Sequence, residues 1–96
     1  MKVAKLDDQT IAEQLAGLKG WTLANEKLHC KLTFENFVEA WGFMTKVALL
    51  AETMNHHPEW SNVYGQVEIE LTTHDAGGIS ARDFELATRI NGLLKL

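Results

Sequence analysis

The chain has 96 residues, 46% hydrophobic and 23% charged, a composition that excludes a disordered segment and fits one folded domain over residues 1–96. Nine basic against thirteen acidic side chains give a formal net charge of −4. That balance argues against nucleic acid or an anionic membrane surface as the direct partner, because both require clustered positive charge. The one cysteine, Cys30, cannot form an intrachain disulfide and fits a reducing compartment.

The segment Met1–Asp8 lacks an apolar core and turns acidic at once, so it is not read as a signal peptide. The longest uncharged apolar run, Val47–Ala51, is too short to cross a bilayer, and a cytoplasmic location is expected. Ile11, Leu15 and Leu18 recur at helical spacing, which predicts a helix over 9–17 with Thr10 as its cap and Gly17 and Gly20 closing it. Trp21 and Leu23 alternate with Thr22 and Ala24. After a turn at Asn25-Glu26-Lys27, Leu28, Cys30, Leu32 and Phe34 alternate with polar residues, the period of a strand with one buried face. The two runs predict a hairpin.

Residues 35–54 read as the main helix. Phe37, Trp41, Met44, Ala48 and Ala51 form one apolar stripe, and Phe43, Val47, Leu50 and Met54 form a second. Two stripes exceed what one sheet face needs, unless they merge into one broad core-facing band. The second stripe is therefore the candidate for self-association. Pro58 prevents the helix from continuing and favours an extended His57. Trp60–Tyr64 reads as a short strand, Gly65-Gln66 as a turn, and Val67, Ile69 and Leu71 as a second alternating strand. His74–Gly78 is a loop. Ser80-x-x-Asp83 has the form of a capping box, and Phe84, Ala87, Ile90 and Leu94 continue as a helix stripe. The expected architecture is α+β, a two-layer sandwich in the order α-β-β-α-β-β-α. A four-stranded antiparallel sheet would carry three helices on one face.

Three of the four histidines fall at element ends, where scaffold-mounted catalytic groups commonly sit: His56 and His57 after the long helix, and His74 after the last strand. An imidazole titrates near pH 6.5, so it can give or take a proton at neutral pH, and two or three together suit a reaction needing acid and base. Zinc is the rival use, with Glu52 or Asp83 completing the donors. Adjacent extended residues such as His56 and His57 point to opposite sides, a poor start for one tetrahedral centre. His29 lies on the polar face of its strand and is read as structural, and Cys30 as a small core residue. Asp83 also stands where a carboxylate favours a helix N-terminus.

The segment Glu52-Thr53-Met54-Asn55-His56-His57-Pro58-Glu59-Trp60-Ser61-Asn62-Val63-Tyr64 resembles the signature of the pterin-4a-carbinolamine dehydratases. The spacing continues to match: Glu52 stands four before His56, five residues separate Pro58 from Tyr64, nine separate Tyr64 from His74, and eight separate His74 from Asp83. The resemblance spans about residues 34–91. It implies removal of water from a 4a-hydroxytetrahydropterin to give the quinonoid dihydropterin, without metal or redox cofactor. This step recycles the cofactor of aromatic amino acid hydroxylases. It also implies His56 and His74 as the acid/base pair, His57 as a pterin-binding or orienting group, and Asp83 as the carboxylate that holds His74. Glu52 would contact the pterin or position a histidine, and Trp60 would pack beside the ring. A homo-oligomer, dimer or tetramer, is expected, and some members of the family also serve as dimerisation cofactors of a transcription factor. Asn55 stands where some relatives carry Asp, which removes a negative charge beside His56.

Overall fold

The computed structural model describes residues 3–96; Met1 and Lys2, the first residues of the segment that lacks a leader's apolar core, lie outside the described residues. The elements run α1 (Asp8–Ala16), β1 (Thr22–Ala24), β2 (Lys27–Thr33), α2 (Phe37–Met54), β3 (Glu59–Val63), β4 (Gln66–Leu71) and α3 (Ala81–Leu94). One 3₁₀ turn, His74–Ala76, precedes α3. The order is the one the hydrophobic periods imply, and the architecture is α+β.

The four strands form one antiparallel sheet in the order β1-β2-β4-β3. Register follows from alternation. Leu28 pairs with Leu71, Cys30 with Ile69, and Leu32 with Val67 on the face under the helices. His29, Lys31 and Thr33 pair with Glu70, Glu68 and Gln66 on the other face. Slipping by one residue would exchange the two sets, so burial of one face fixes the register. The inner face joins Ile11 of α1, Phe43 and Val47 of α2, and Phe84, Leu86 and Ile90 of α3 in one cluster. Each fully buried aliphatic side chain there contributes about 1.5–3 kcal/mol relative to exposure. Asn91 ties the edge of this core. Its Oδ1 accepts from Trp21 Nε1 at 2.9 Å and its Nδ2 donates to the Lys19 carbonyl at 2.9 Å.

α2 corrects the expectation for its second stripe. Phe43 and Val47 are buried, and Leu50 and Met54 pack against the core, so this stripe is not a free surface for self-association. The core band is Ala40, Phe43, Met44, Val47 and Ala51, drawn from both stripes. The apolar side chains left in solvent are instead Phe37, Val38, Trp41 and Leu49, with the Phe37 and Trp41 rings stacked at 5.9 Å.

The helix ends are set by local chemistry. Asp7, not Thr10, caps α1, its carboxylate accepting from the Thr10 N–H at 2.8 Å. That bond holds the Asp7 carboxyl below its ordinary value. Asn36 caps α2. α2 stops at a left-handed Asn55 (φ 51°), with the His56 N–H donating to the Ala51 carbonyl at 3.0 Å and the Asn55 N–H to Glu52 at 3.1 Å. This is a Schellman stop, and asparagine tolerates its backbone better than most residues. Pro58 lies beyond the stop rather than causing it. At the β3–β4 turn, Gly65 is required by close approach. A Cβ there would sit 2.5 Å from the Phe34 carbonyl oxygen, while the Gly65 carbonyl accepts from the Phe34 N–H at 2.7 Å.

Candidate active site

The Schellman stop directs the chain so that His56 is buried while His57 is exposed. The His56 ring, 9% exposed, meets the carboxylate of Asp83, which is wholly buried, with Nε2 to Oδ1 at 2.6 Å. An ionised carboxylate only accepts, so the imidazole donates through Nε2 and keeps Nδ1 free for another partner. The second oxygen, Oδ2, accepts from the Thr73 hydroxyl at 2.8 Å and from the Ser80 N–H at 2.9 Å. Thr73 has spent its proton on Asp83, so the Ser80 hydroxyl, 2.6 Å away, donates to Thr73, and Ser80 Oγ accepts from the Arg82 N–H at 3.2 Å. Among the described residues no buried side-chain polar atom lacks a partner. Asp83 is thus both the closing half of the α3 capping box and the partner of His56.

His57, 63% exposed, meets Glu52 Oε1 at 2.8 Å, one turn back on α2. With Pro58 and the half-buried Trp60 they line a cavity of about 400 Å³, within the range of small-molecule sites. Trp60 packs its ring against the core from the inner face of β3.

His74, 81% exposed, stands at the start of the 3₁₀ turn. Its Nε2 meets Glu59 Oε2 at 3.0 Å, and Glu59 Oε1 accepts from Lys27 Nζ at 2.5 Å. The Lys27 hydrogen bond, aided by the His74 contact, holds the Glu59 carboxyl below its ordinary value, and Lys27 is raised in return. His74 and Lys27 also line a second cavity of about 350 Å³, with Thr72 and Gly78.

Each imidazole of the set therefore has its own carboxylate: His56 with Asp83, His57 with Glu52, His74 with Glu59. The expected pairing of Asp83 with His74 is corrected: burial puts Asp83 under His56, and Glu59 supplies the partner of His74. Glu52 meets His57. The residues that sequence reasoning missed are Glu59, Lys27, Thr73 and Ser80. Glu59 lies directly after Pro58, one residue before the strand expected at Trp60–Tyr64, so no strand face marked it; β3 in fact begins with it. His29 pairs with Glu68 on the outer sheet face at 2.7 Å. Burial pushes the Cys30 thiol up to about 11, so it stays protonated in the core. Among the described residues no three His, Cys, Asp or Glu side chains gather around one point, and no helix is long and apolar enough to cross a membrane.

The site is thus a set of imidazoles, each paired with a carboxylate, at the end of an α+β sandwich, groups whose chemistry is to give and take protons. Residues 4–93 match the family described as "Pterin 4 alpha carbinolamine dehydratase". The chain is 64% identical over 84 residues to a relative from Prochlorococcus marinus (strain MIT 9303), covering 83% of this chain and 88% of that one. It is 53% identical over 89 residues to a relative from Solibacter usitatus (strain Ellin6076), covering 93% and 94%. Both are named for pterin-4-alpha-carbinolamine dehydratase activity. Among solved structures it is similar to the transcriptional coactivator/pterin dehydratase of Brucella melitensis, with TM-score 0.89 and 35% identity, covering 93% of this chain and 97% of that one. The chain belongs to the pterin-4a-carbinolamine dehydratase family of hydro-lyases.

Proposed function

We propose that the protein, acting as one domain, dehydrates a 4a-hydroxytetrahydropterin to the quinonoid dihydropterin and water. Hydroxide is a poor leaving group, so an acid protonates the 4a oxygen as the C–O bond breaks. A base takes the N5 proton, and its electrons close the C4a=N5 bond. His56 and His74 are the acid/base pair, and His57 with Glu52 and Trp60 binds and orients the ring. The observation that carries this reading is that Nε2 of His56 and of His74 each meets a carboxylate of its own, at 2.6 and 3.0 Å; a carboxylate there favours Nε2–H and makes Nδ1 the working atom. We place the protein in the cytoplasm, serving an aromatic amino acid hydroxylase.

The test generates the 4a-carbinolamine with such a hydroxylase and follows its decay by ultraviolet absorbance. The protein should accelerate decay, and His56→Ala and His74→Ala should each lower the rate by about 10²-fold, the lower range for general acid–base catalysis. No acceleration over the spontaneous reaction would remove the dehydratase reading, and full activity in both variants would remove the acid/base assignment.

The exposed apolar face of α2, Phe37, Val38, Trp41 and Leu49, supports a homo-oligomer, dimer or tetramer. Trp41→Glu with Leu49→Glu should lower the molecular mass seen by light scattering. An unchanged mass would leave self-association without this surface. The same face is what a coactivator role, as in the Brucella neighbour's name, would use.

A further inference from the structure

The corner under His74 contains two charged groups that the proton-transfer scheme leaves unused. Glu59 opens β3 and Lys27 opens β2, and the antiparallel sheet brings both beneath the 3₁₀ turn that carries His74. Glu59 bridges them, with one oxygen on Lys27 Nζ and the other on His74 Nε2. A surface ion pair of this kind is ordinarily worth little. Its setting gives it a use. The His74 side chain is 81% exposed, and Glu59 is the only hydrogen-bond partner its ring has among the described residues. No other hydrogen bond among the described residues selects its tautomer. Lys27 in turn leaves Glu59 one free oxygen and lowers its affinity for a proton, so that Glu59 stays an acceptor.

We infer that Glu59, braced by Lys27, is a positioning residue for His74, fixing its Nε2–H tautomer and presenting Nδ1 to the substrate. The inference deepens the dehydratase reading and rests on it for the reaction. Other charges face this corner. Glu70 on β4 is the register partner of Glu59, and Asp75 follows His74 on the same turn. Lys5, Asp8 and Glu26 border the adjoining cavity. None of these is paired with the His74 ring among the described residues, so Glu59 is the charge whose removal the ring should feel most.

Two substitutions separate the parts of the proposal. Glu59→Ala removes the acceptor. In ¹⁵N-detected NMR the His74 ring should change from one Nε2–H tautomer to a mixture, and kcat should fall by about tenfold while KM stays within about twofold. Glu59→Gln keeps one acceptor oxygen and replaces the other by an NH2 donor. Lys27 can only donate and should take the amide oxygen, so the NH2 faces the His74 ring and the ¹⁵N shifts should move toward the Nδ1–H tautomer. Glu59→Asp should recover part of the kcat lost in Glu59→Ala. His74 ¹⁵N shifts unchanged in Glu59→Ala and in Glu59→Gln would overturn the inference and leave a surface ion pair. If wild-type protein fails to accelerate dehydration, the dehydratase reading falls by itself, while the NMR arm still decides whether Glu59 sets the tautomer.

Discussion

His56–Asp83 and His74–Glu59 are the same chemical pair in opposite surroundings. The first is sealed under α3, its carboxylate taking three hydrogen bonds from three segments of chain. The second lies in solvent, its carboxylate shared between one imidazole and one ammonium. Water makes the difference. A buried carboxylate that loses a partner has no replacement, whereas an exposed one is rehydrated at once. The buried pair is therefore part of what holds the molecule together, and the exposed pair contributes little to the fold.

The largest effect that could break this comparison is Asp83→Ala. It strips the partner of buried His56, the acceptor of Thr73 and half a capping box, and should cost about 3–5 kcal/mol in denaturant unfolding. A loss below about 1 kcal/mol would show that the burial carries no such weight. Thr73→Val, nearly isosteric, removes one donor to Asp83 and the acceptor of the Ser80 hydroxyl, and should cost about 1–3 kcal/mol. If its only effect were on kcat, the network would be catalytic and not structural.

The exposed pair should respond through pH. Glu59 has a lowered carboxyl pKa in the fold, so its contribution is complete above the ordinary carboxylate range and disappears as pH falls through the folded value. In Lys27→Met the Glu59 carboxyl should titrate at higher pH by ¹³C NMR, and the stability difference from wild type should shrink as the solution is acidified. A Glu59 titration identical in both proteins would mean that Lys27 does not brace it. The smallest effect is expected for Glu68→Ala. It breaks the His29 pair on the outer face and should change neither the unfolding midpoint nor the dehydration rate measurably. A rate loss there would extend the site across the sheet.

What the sequence made legible was whatever repeats. Alternation through Leu28–Phe34 and Val67–Leu71 located the central strands and their buried face, and Ser80-x-x-Asp83 located the start of α3. Illegible were facts about partners distant in the chain. The helical period reveals that α2 has apolar residues in excess, but not which side meets the sheet. Hence Phe43 and Val47 looked available when Phe37 and Trp41 are the exposed ones. Likewise, spacing placed three imidazoles and several carboxylates near element ends without pairing them. Asp83 stands closer in sequence to His74, yet its oxygen reaches His56 across 27 positions. The turns at Asn25-Glu26 and Tyr64 place non-glycine residues at φ 55°, 60° and 51°, where composition gave only a general turn signal.

The bond between the Phe34 N–H and the Gly65 carbonyl closes a ring of backbone. From Phe34 the chain runs the length of α2, reverses at Asn55–Pro58, and returns along β3 to Gly65. His56, His57 and Glu59 lie toward one end of this ring and its clasp lies at the other. A frame fastened at both ends resists shear between its two long sides. The stretch of chain that carries His56, His57 and Glu59 is thus closed by a glycine that bonds to none of them.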